Sequence, residues 1–285
     1  MITTTRVTVQ GYGLHMMEAG SGPPVLFLHG FAVSSRYWQP TLELLGHSGY
    51  RAIAIDVLGF GESDKPPHAP YSLPLYADLC AGLLDVLGLE QAAVVGHSFG
   101  GKLALATAVL HQPRVDRLIV MDTDGFLQVP TIMRRVTSLP GVGRGMLWLA
   151  GRSAVVRAQL RMSFRNPERH VTPEMIARGR DAMLLPENAR VLIQLSHNAT
   201  YIDLRTSGLR ARLSELRCPT LIVWGEDDRV IPLSCGETAR REIPGAQLVR
   251  FPDCGHFPHV EAFRAFHGLL LGFLAGKKEG TIITK

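Results

Sequence analysis

Short apolar, β-branched runs recur along the chain at Pro24-Val25-Leu26-Phe27-Leu28, Arg51 to Ile55, Ala92 to Val95, Arg117 to Met121, Thr220 to Trp224 and Gln247 to Phe251. Continuous apolar runs of this length are what strands buried on both faces require, and each is predicted as one. Helical periodicity lies between several of them. From Ser72 to Leu87, Leu75, Leu79, Leu83 and Val86 share a face, and from Phe99 to His111, Leu103, Ala106 and Leu110 do so. Alternating β and α segments predict an α/β fold: a mostly parallel central sheet with helices on both faces.

The alternation stops between residues 125 and 212. There Pro, Gly and Arg punctuate helical stretches, Thr172-Pro173-Glu174 reads as a helix start with Pro in the first turn, and no strand pattern occurs. The expected organisation is a core formed by residues 1–124 and 213–285, with residues 125–212 inserted as a helical cap. The other reading is that this segment simply continues the helical layer. Residues 277–285 are expected to fray.

With 285 residues, 46% of them hydrophobic and 19% charged, the chain can bury a large core in one or two domains, which excludes disorder and fibre. No uninterrupted apolar run has the length of a membrane span, and the start lacks a signal-type apolar segment, so a soluble, cytoplasmic protein is expected. Four cysteines, at 80, 218, 235 and 254, have no C-x-x-C spacing, which favours a reducing compartment and argues against structural zinc. The net charge of +5 is carried by scattered Lys and Arg without a basic run or nucleic-acid motif, so no nucleic-acid partner is expected. The charge is uneven, however: residues 125–212 hold 14 Arg, no Lys and five acids, a net +9 that leaves −4 for the remainder. A solvated helical face is the preferred reading; attraction of anionic substrates or an anionic surface is the other.

Candidate chemistry begins at Gly96-His97-Ser98-Phe99-Gly100-Gly101, placed between a predicted strand and a predicted helix. A serine hydroxyl is a weak nucleophile. It must project from a tight turn where a base reaches it and a helix amino end favours negative charge, and flanking glycines leave room for that turn. His29-Gly30-Phe31 follows the first long strand, so the backbone N–H of Phe31 is expected to join that of Phe99 as an oxyanion donor, each worth about 3 kcal/mol. Glu226, Asp227 and Asp228 follow another strand, and His256 follows the last. Carboxyl ends of parallel strands share one edge of the sheet, and the order Ser, acid, His fits a relay in which His takes the Ser proton and the acid orients the imidazole.

These residues resemble the α/β-hydrolase superfamily, specifically its lid-bearing serine hydrolases. The resemblance runs through His29-Gly30-Phe31, Asp56-Val57-Leu58-Gly59-Phe60-Gly61-Glu62-Ser63-Asp64, the elbow at 96–101, Trp224-Gly225-Glu226-Asp227-Asp228-Arg229-Val230-Ile231-Pro232 and Gly255-His256. It implies a catalytic Ser98, Asp228 rather than Asp227 as the acid, His256 as the base, Phe31 and Phe99 as oxyanion donors, and no metal or organic cofactor. Two departures stand out. Glu261-Ala262-Phe263 replaces the family's frequent Glu-x-Pro, and Asp122 and Asp124 follow a strand where a minority of relatives carry the acid. His97 is expected to point into the sheet, as that elbow position does in the family.

Serine at the elbow excludes relatives that build their ester intermediate on Asp, and Tyr201 is the sole tyrosine of the cap, where epoxide-opening relatives use a pair. Acyl transfer to water remains, on a small-molecule carboxylic ester. Trp38, Trp148, Val230 and Phe257, with Phe31 and Phe99, are candidates to line its pocket. A C–C hydrolase of dienoic ring-fission products is the alternative, disfavoured because many of these carry Gly-Asn-Ser where this chain has Gly96-His97-Ser98. A non-catalytic ligand-binding protein on the same fold is the alternative of another class.

Overall fold

The computed structural model describes residues 1–127 and 141–276, so the expected frayed tail and residues 128–140 of the expected cap lie outside the described residues. All six predicted strands form, as β3 (Pro24–Leu28), β4 (Arg51–Ile55), β5 (Ala92–His97), β6 (Val115–Met121), β7 (Thr220–Gly225) and β8 (Gln247–Phe251). Two more precede them, β1 (Ile2–Val9) and β2 (Tyr12–Ala19), a hairpin closed at Gln10 and Gly11, both with positive φ as a two-residue hairpin turn requires. Sequence patterning missed this pair because β1 is an edge strand whose threonines are exposed.

The eight strands form one sheet in the order β1-β2-β4-β3-β5-β6-β7-β8. The pairs β1/β2 and β2/β4 are antiparallel, and every pair from β4 to β8 is parallel. Alternate residues of each strand enter two separate cores. Leu26, Leu28, Ile53, Val94 and Val120 face α2 (Leu73–Val86), α3 (Phe99–Leu110) and α9 (Leu233–Glu242). Val25, Phe27, Ala54, Val95 and Met121 face α1 (Gln39–His47) and α10 (Phe263–Leu274). Helix α2 begins where Ser72 caps it by accepting the Leu75 N–H at 3.3 Å. Its buried face is wider than the expected one: Leu79 and Leu83 are buried as expected and Tyr76, Cys80 and Leu84 are buried as well, while Val86 is 53% exposed, because the helix packs on α3 as well as on the sheet.

Between β6 and β7 the described residues contain no strand. They form α4 (Val142–Ala150), α5 (Ser153–Ser163), α6 (Pro167–His170), α7 (Pro173–Leu184) and α8 (Pro186–His197), which pack chiefly on one another. Thr172 caps α7 by accepting the Met175 N–H at 3.2 Å, so the helix start read from Thr172-Pro173-Glu174 falls one residue after the cap. No helix among the described residues is long and apolar enough to cross a membrane.

The strand order places β3 and β5 side by side although β4 intervenes in the chain. The chain thus leaves their carboxyl ends in opposite directions, opening the crevice at which ligands bind in such sheets. His29-Gly30-Phe31 and Ser98 stand on its two sides.

Candidate active site

Ser98 links β5 directly to α3 with φ 53° and ψ −119°, a backbone conformation unfavourable for a residue with a Cβ. Its N–H donates to the Met121 carbonyl at 2.8 Å, and its carbonyl accepts from Gly101 N–H at 3.0 Å and from the Thr123 hydroxyl at 3.1 Å. The turn closes only because its neighbours are small. A Cβ on Gly96 would stand 2.2 Å from the Gly100 carbonyl oxygen, and one on Gly100 would stand 2.3 Å from that of Leu28. Across the crevice Gly30 lies against the elbow, its Cβ position 3.3 Å from the Ser98 Cβ, which brings the Phe31 backbone beside the serine.

His256 and Asp228 meet at the same sheet edge. His256 Nδ1 donates to Asp228 Oδ2 at 2.8 Å, and Asp228 Oδ1 accepts the N–H groups of Val230 and Ile231 at 2.7 and 3.0 Å. Asp227 instead pairs with Arg165 at 2.9 Å, and Asp124 pairs with Lys102 at 2.6 Å. Asp122 is fully buried next to Asp228. Ser98 and His256 border one cavity, and among the described residues no hydrogen bond joins their side chains.

His97 is buried, as that elbow position implies, and it also borders the cavity, its ring packing on those of His256 and Phe257 at 4.7 and 4.8 Å. Burial keeps its pKa well below the ordinary range, so the ring is neutral, and its Nε2–H donates to the His256 carbonyl at 2.6 Å. The helical segment grips the same loop. His256 N–H donates to the Ser163 carbonyl at 2.7 Å, and Phe257 stacks on Phe164 at 4.8 Å. Glu261 closes the joint by accepting Gly255 N–H at 2.9 Å and Arg165 N–H at 2.7 Å. The carboxylate needed beneath the histidine loop is therefore present despite the missing Glu-x-Pro.

The cavity encloses about 670 Å³. Phe31, Val230 and Phe257 line it, as expected; Trp38, Trp148 and Phe99 do not. Trp38 is 1% exposed and packs on Phe27 and His259 beneath the sheet edge, an apolar ring drawn into the core. Trp148 points outward, 60% exposed under the Arg152 guanidinium, because α4 packs on its neighbours through its other face. The ring of Phe99 is buried among Phe31, Phe60 and Tyr76. Pattern reading missed Arg36, Tyr37 and Arg178, all of which line the cavity. No local motif marks them, although the surplus of Arg in the helical segment was a signal for Arg178.

A buried carboxylate joins two loops that border the cavity. Burial pushes the Asp56 carboxyl up, but His15, His29 and the N–H groups of Glu62 and Ser35 outweigh it and hold its pKa below the usual carboxylate range. Asp56 Oδ1 accepts the Ser35 N–H at 2.6 Å and Oδ2 that of Glu62 at 2.7 Å, so one carboxylate ties the loop after β3 to the loop after β4. His15 Nδ1 stands 3.2 Å from it, and the nearby Asp56 carboxylate raises its pKa above the ordinary value.

A family model for the α/β hydrolase fold matches residues 23–263. This chain is an α/β hydrolase. The hydrolase is 31% identical over 281 residues to a 2-hydroxy-6-oxononadienedioate/2-hydroxy-6-oxononatrienedioate hydrolase of Comamonas testosteroni, covering 96% of this chain and 95% of that protein. It is 33% identical to a 2-hydroxymuconate semialdehyde hydrolase of Pseudomonas putida, covering 94% and 93%. Among solved structures, a meta-cleavage product hydrolase from Pseudomonas fluorescens is 28% identical with a TM-score of 0.77, covering 95% of this hydrolase and 97% of that chain.

Two outcomes are expected. Gly100→Ala should lower unfolding free energy by about 3 kcal/mol, because the backbone must move away from the Leu28 carbonyl; urea denaturation checks this. His15→Gln should separate most from wild type between the pH at which Asp56 ionises and that at which His15 loses its proton. The Asp56 contribution is present above its ordinary 3.8 and fades as pH falls through its lowered native pKa; that of His15 is full below 6.5 and fades as pH rises through its raised one. Denaturation midpoints of the two proteins should lie farthest apart between pH 3.8 and 6.5 and converge as pH rises above 6.5 through the raised pKa of His15.

Proposed function

We propose that this hydrolase cleaves the C–C bond beside the ketone of a dienoic ring-fission product bearing a carboxylate, using Ser98, His256 and Asp228. The observation that carries the reading is an arginine-bearing cavity in a chain similar along nearly its whole length to hydrolases of such compounds. The elbow residue His97 had favoured carboxylic esters, but it is one position, and similarity spanning 96% of the chain outweighs it.

A carbon leaves with its bonding electrons only when they are delocalised. Shifting a proton from the enol oxygen to the carbon next to the ketone turns the substrate into a keto form whose cleavage releases a dienolate conjugated to the carboxylate. In the proposed reaction His256 takes the Ser98 proton, the alkoxide adds to the ketone, and the N–H groups of Phe31 and Phe99 hold the oxyanion. Collapse expels the dienolate, which takes up a proton, and leaves an acyl-serine; water, deprotonated by His256, then releases the acid. The helical segment between β6 and β7 acts as the cap over this site.

Arg178 is the residue proposed to hold the substrate carboxylate. Its guanidinium pairs with the exposed Glu174 at 2.6 Å, a contact that solvent screens and that a carboxylate inside the cavity would outcompete. Arg36, by contrast, is anchored to Glu62 at 2.9 Å, on the wall tied together by Asp56. Ester hydrolysis is kept as the second reading because the same serine chemistry serves it and Phe31, Val33, Leu160 and Leu192 make much of the cavity wall apolar.

The test compares a 2-hydroxy-6-oxo-dienoate, followed by loss of its visible absorption, with p-nitrophenyl acetate and butyrate. Turnover of the dienoate should exceed that of either ester at least tenfold in kcat/KM, and Ser98→Ala should abolish all three activities. Arg178→Gln should raise KM for the dienoate about tenfold to a hundredfold, as loss of a charge-assisted bidentate contact does, and leave the neutral esters within about twofold. Faster hydrolysis of both esters would overturn the C–C reading, and activity persisting in Ser98→Ala would overturn the nucleophile.

A further inference from the structure

The loop after β6 carries a second carboxyl group at the heart of the site. Asp122 is 0% exposed and, like Ser98 after the neighbouring strand, adopts a positive φ, here 43°. Its backbone N–H donates to the Val223 carbonyl at 3.1 Å, and its Oδ1 accepts the Gly225 N–H at 3.0 Å. Its Oδ2 is buried and receives no N–H or O–H donor. Ligand-type atoms of Asp122, Asp228 and His256 all lie within 4.8 Å of one another.

Two carboxylates this close, shielded from water, do not both ionise. The hydrogen bonds decide which one keeps its proton. Asp228 accepts three N–H groups, from His256, Val230 and Ile231, whereas Asp122 accepts one. The better-solvated carboxylate takes the charge, and the proton remains on the oxygen that no donor reaches. We propose that Asp122 is a positioning residue that carries a proton on Oδ2 and donates it to Asp228, so that the two acids present one negative charge to His256. The proposal rests on the Ser98–His256–Asp228 reading of the site and is independent of whether the bond cleaved is C–C or ester.

The surroundings act in the same direction. Burial and the charge of Asp228 raise the Asp122 pKa well above the ordinary value, against the opposing Gly225 N–H, and Glu261 raises it further. The other titratable groups near this cluster are Cys254, whose thiol burial keeps protonated, and His97 and His259, both held neutral by burial. Asp124 is turned away onto Lys102. Held this way, Asp228 has both oxygens saturated and cannot rotate away from the imidazole. The family resemblance left Asp122 as an alternative to Asp228 for the acid; the proposal makes it a partner of that acid.

The test is the pH profile of kcat/KM for p-nitrophenyl acetate, together with phosphonylation of Ser98 by an organophosphonate. If Asp122 is a neutral acid, Asp122→Asn exchanges one neutral donor for another, and the acid limb should stay within about 0.3 pH units of wild type with kcat within about threefold. If Asp122 were ionised, the same substitution would remove a negative charge beside His256 and move that limb down by about one unit or more, overturning the proposal. Asp122→Ala, which removes the donor, should lower kcat about tenfold or more with KM little changed; activity equal to that of Asp122→Asn would also overturn it. Because the Ala variant can fail to fold, the 13Cγ resonance of Asp122 in the intact protein provides the second measurement. It should hold the shift of a protonated carboxyl through neutral pH, and a carboxylate shift there would refute the idea. Loss of all activity in Asp122→Asn with the carboxyl resonance still that of an acid would count against the positioning role, whereas activity in Ser98→Ala would refute the underlying triad instead.

Discussion

A left-handed backbone turn at Ser98 is the constraint from which the rest of the site follows. A residue with a Cβ adopts φ 53° only if surrounding structure compensates the strain, and here three hydrogen bonds and the packing of α3 against β5 do so. The turn makes β5 and α3 meet with no loop between them, which points the serine out of the sheet and the N-terminus of α3 toward it. Gly96 and Gly100 are the steric condition for that meeting, since the elbow passes within contact distance of the Leu28 carbonyl at the end of β3.

The histidine loop is held on several sides by groups remote from it in sequence. His97 donates to the His256 carbonyl from below, Ser163 accepts its N–H from the helical segment, and Asp228 binds the ring. Loops after strands are ordinarily mobile. This one is fastened by backbone groups, so the position of its imidazole depends on the seating of the helices above. Glu261 and the stack of Phe164 on Phe257 join the two layers, which couples the helices over the cavity to the base beneath them in the proposed reaction.

Charge is divided unevenly between these layers. Among the described residues between β6 and β7, Arg165 pairs with Asp227 and Arg210 with Glu242, which tie this segment to the acidic core. Arg178 differs in lining the cavity, and in the proposed reaction a single guanidinium there matters more for holding the substrate carboxylate than the net charge of the whole segment.

Strand positions, the serine elbow and the loops bearing Asp228 and His256 were legible in the sequence because each depends on local rules. Buried parallel strands need apolar runs, the tight turn needs glycines, and carboxyl ends of such strands share an edge. The β1–β2 hairpin escaped because the edge strand β1 exposes its polar residues, and the face of α2 was read too narrowly because α3 also packs on it. Trp38 and Trp148 show why aromatic residues cannot be assigned to a pocket from composition: one was drawn into the core and the other turned to solvent by the packing of its own helix or turn. Contacts between segments far apart in the chain, among them Asp122 with Asp228, Ser163 with His256 and Arg178 with the cavity, were decided by tertiary structure alone. They join residues whose separation no local periodicity encodes, and only the closure of the sheet and its helices brings them together.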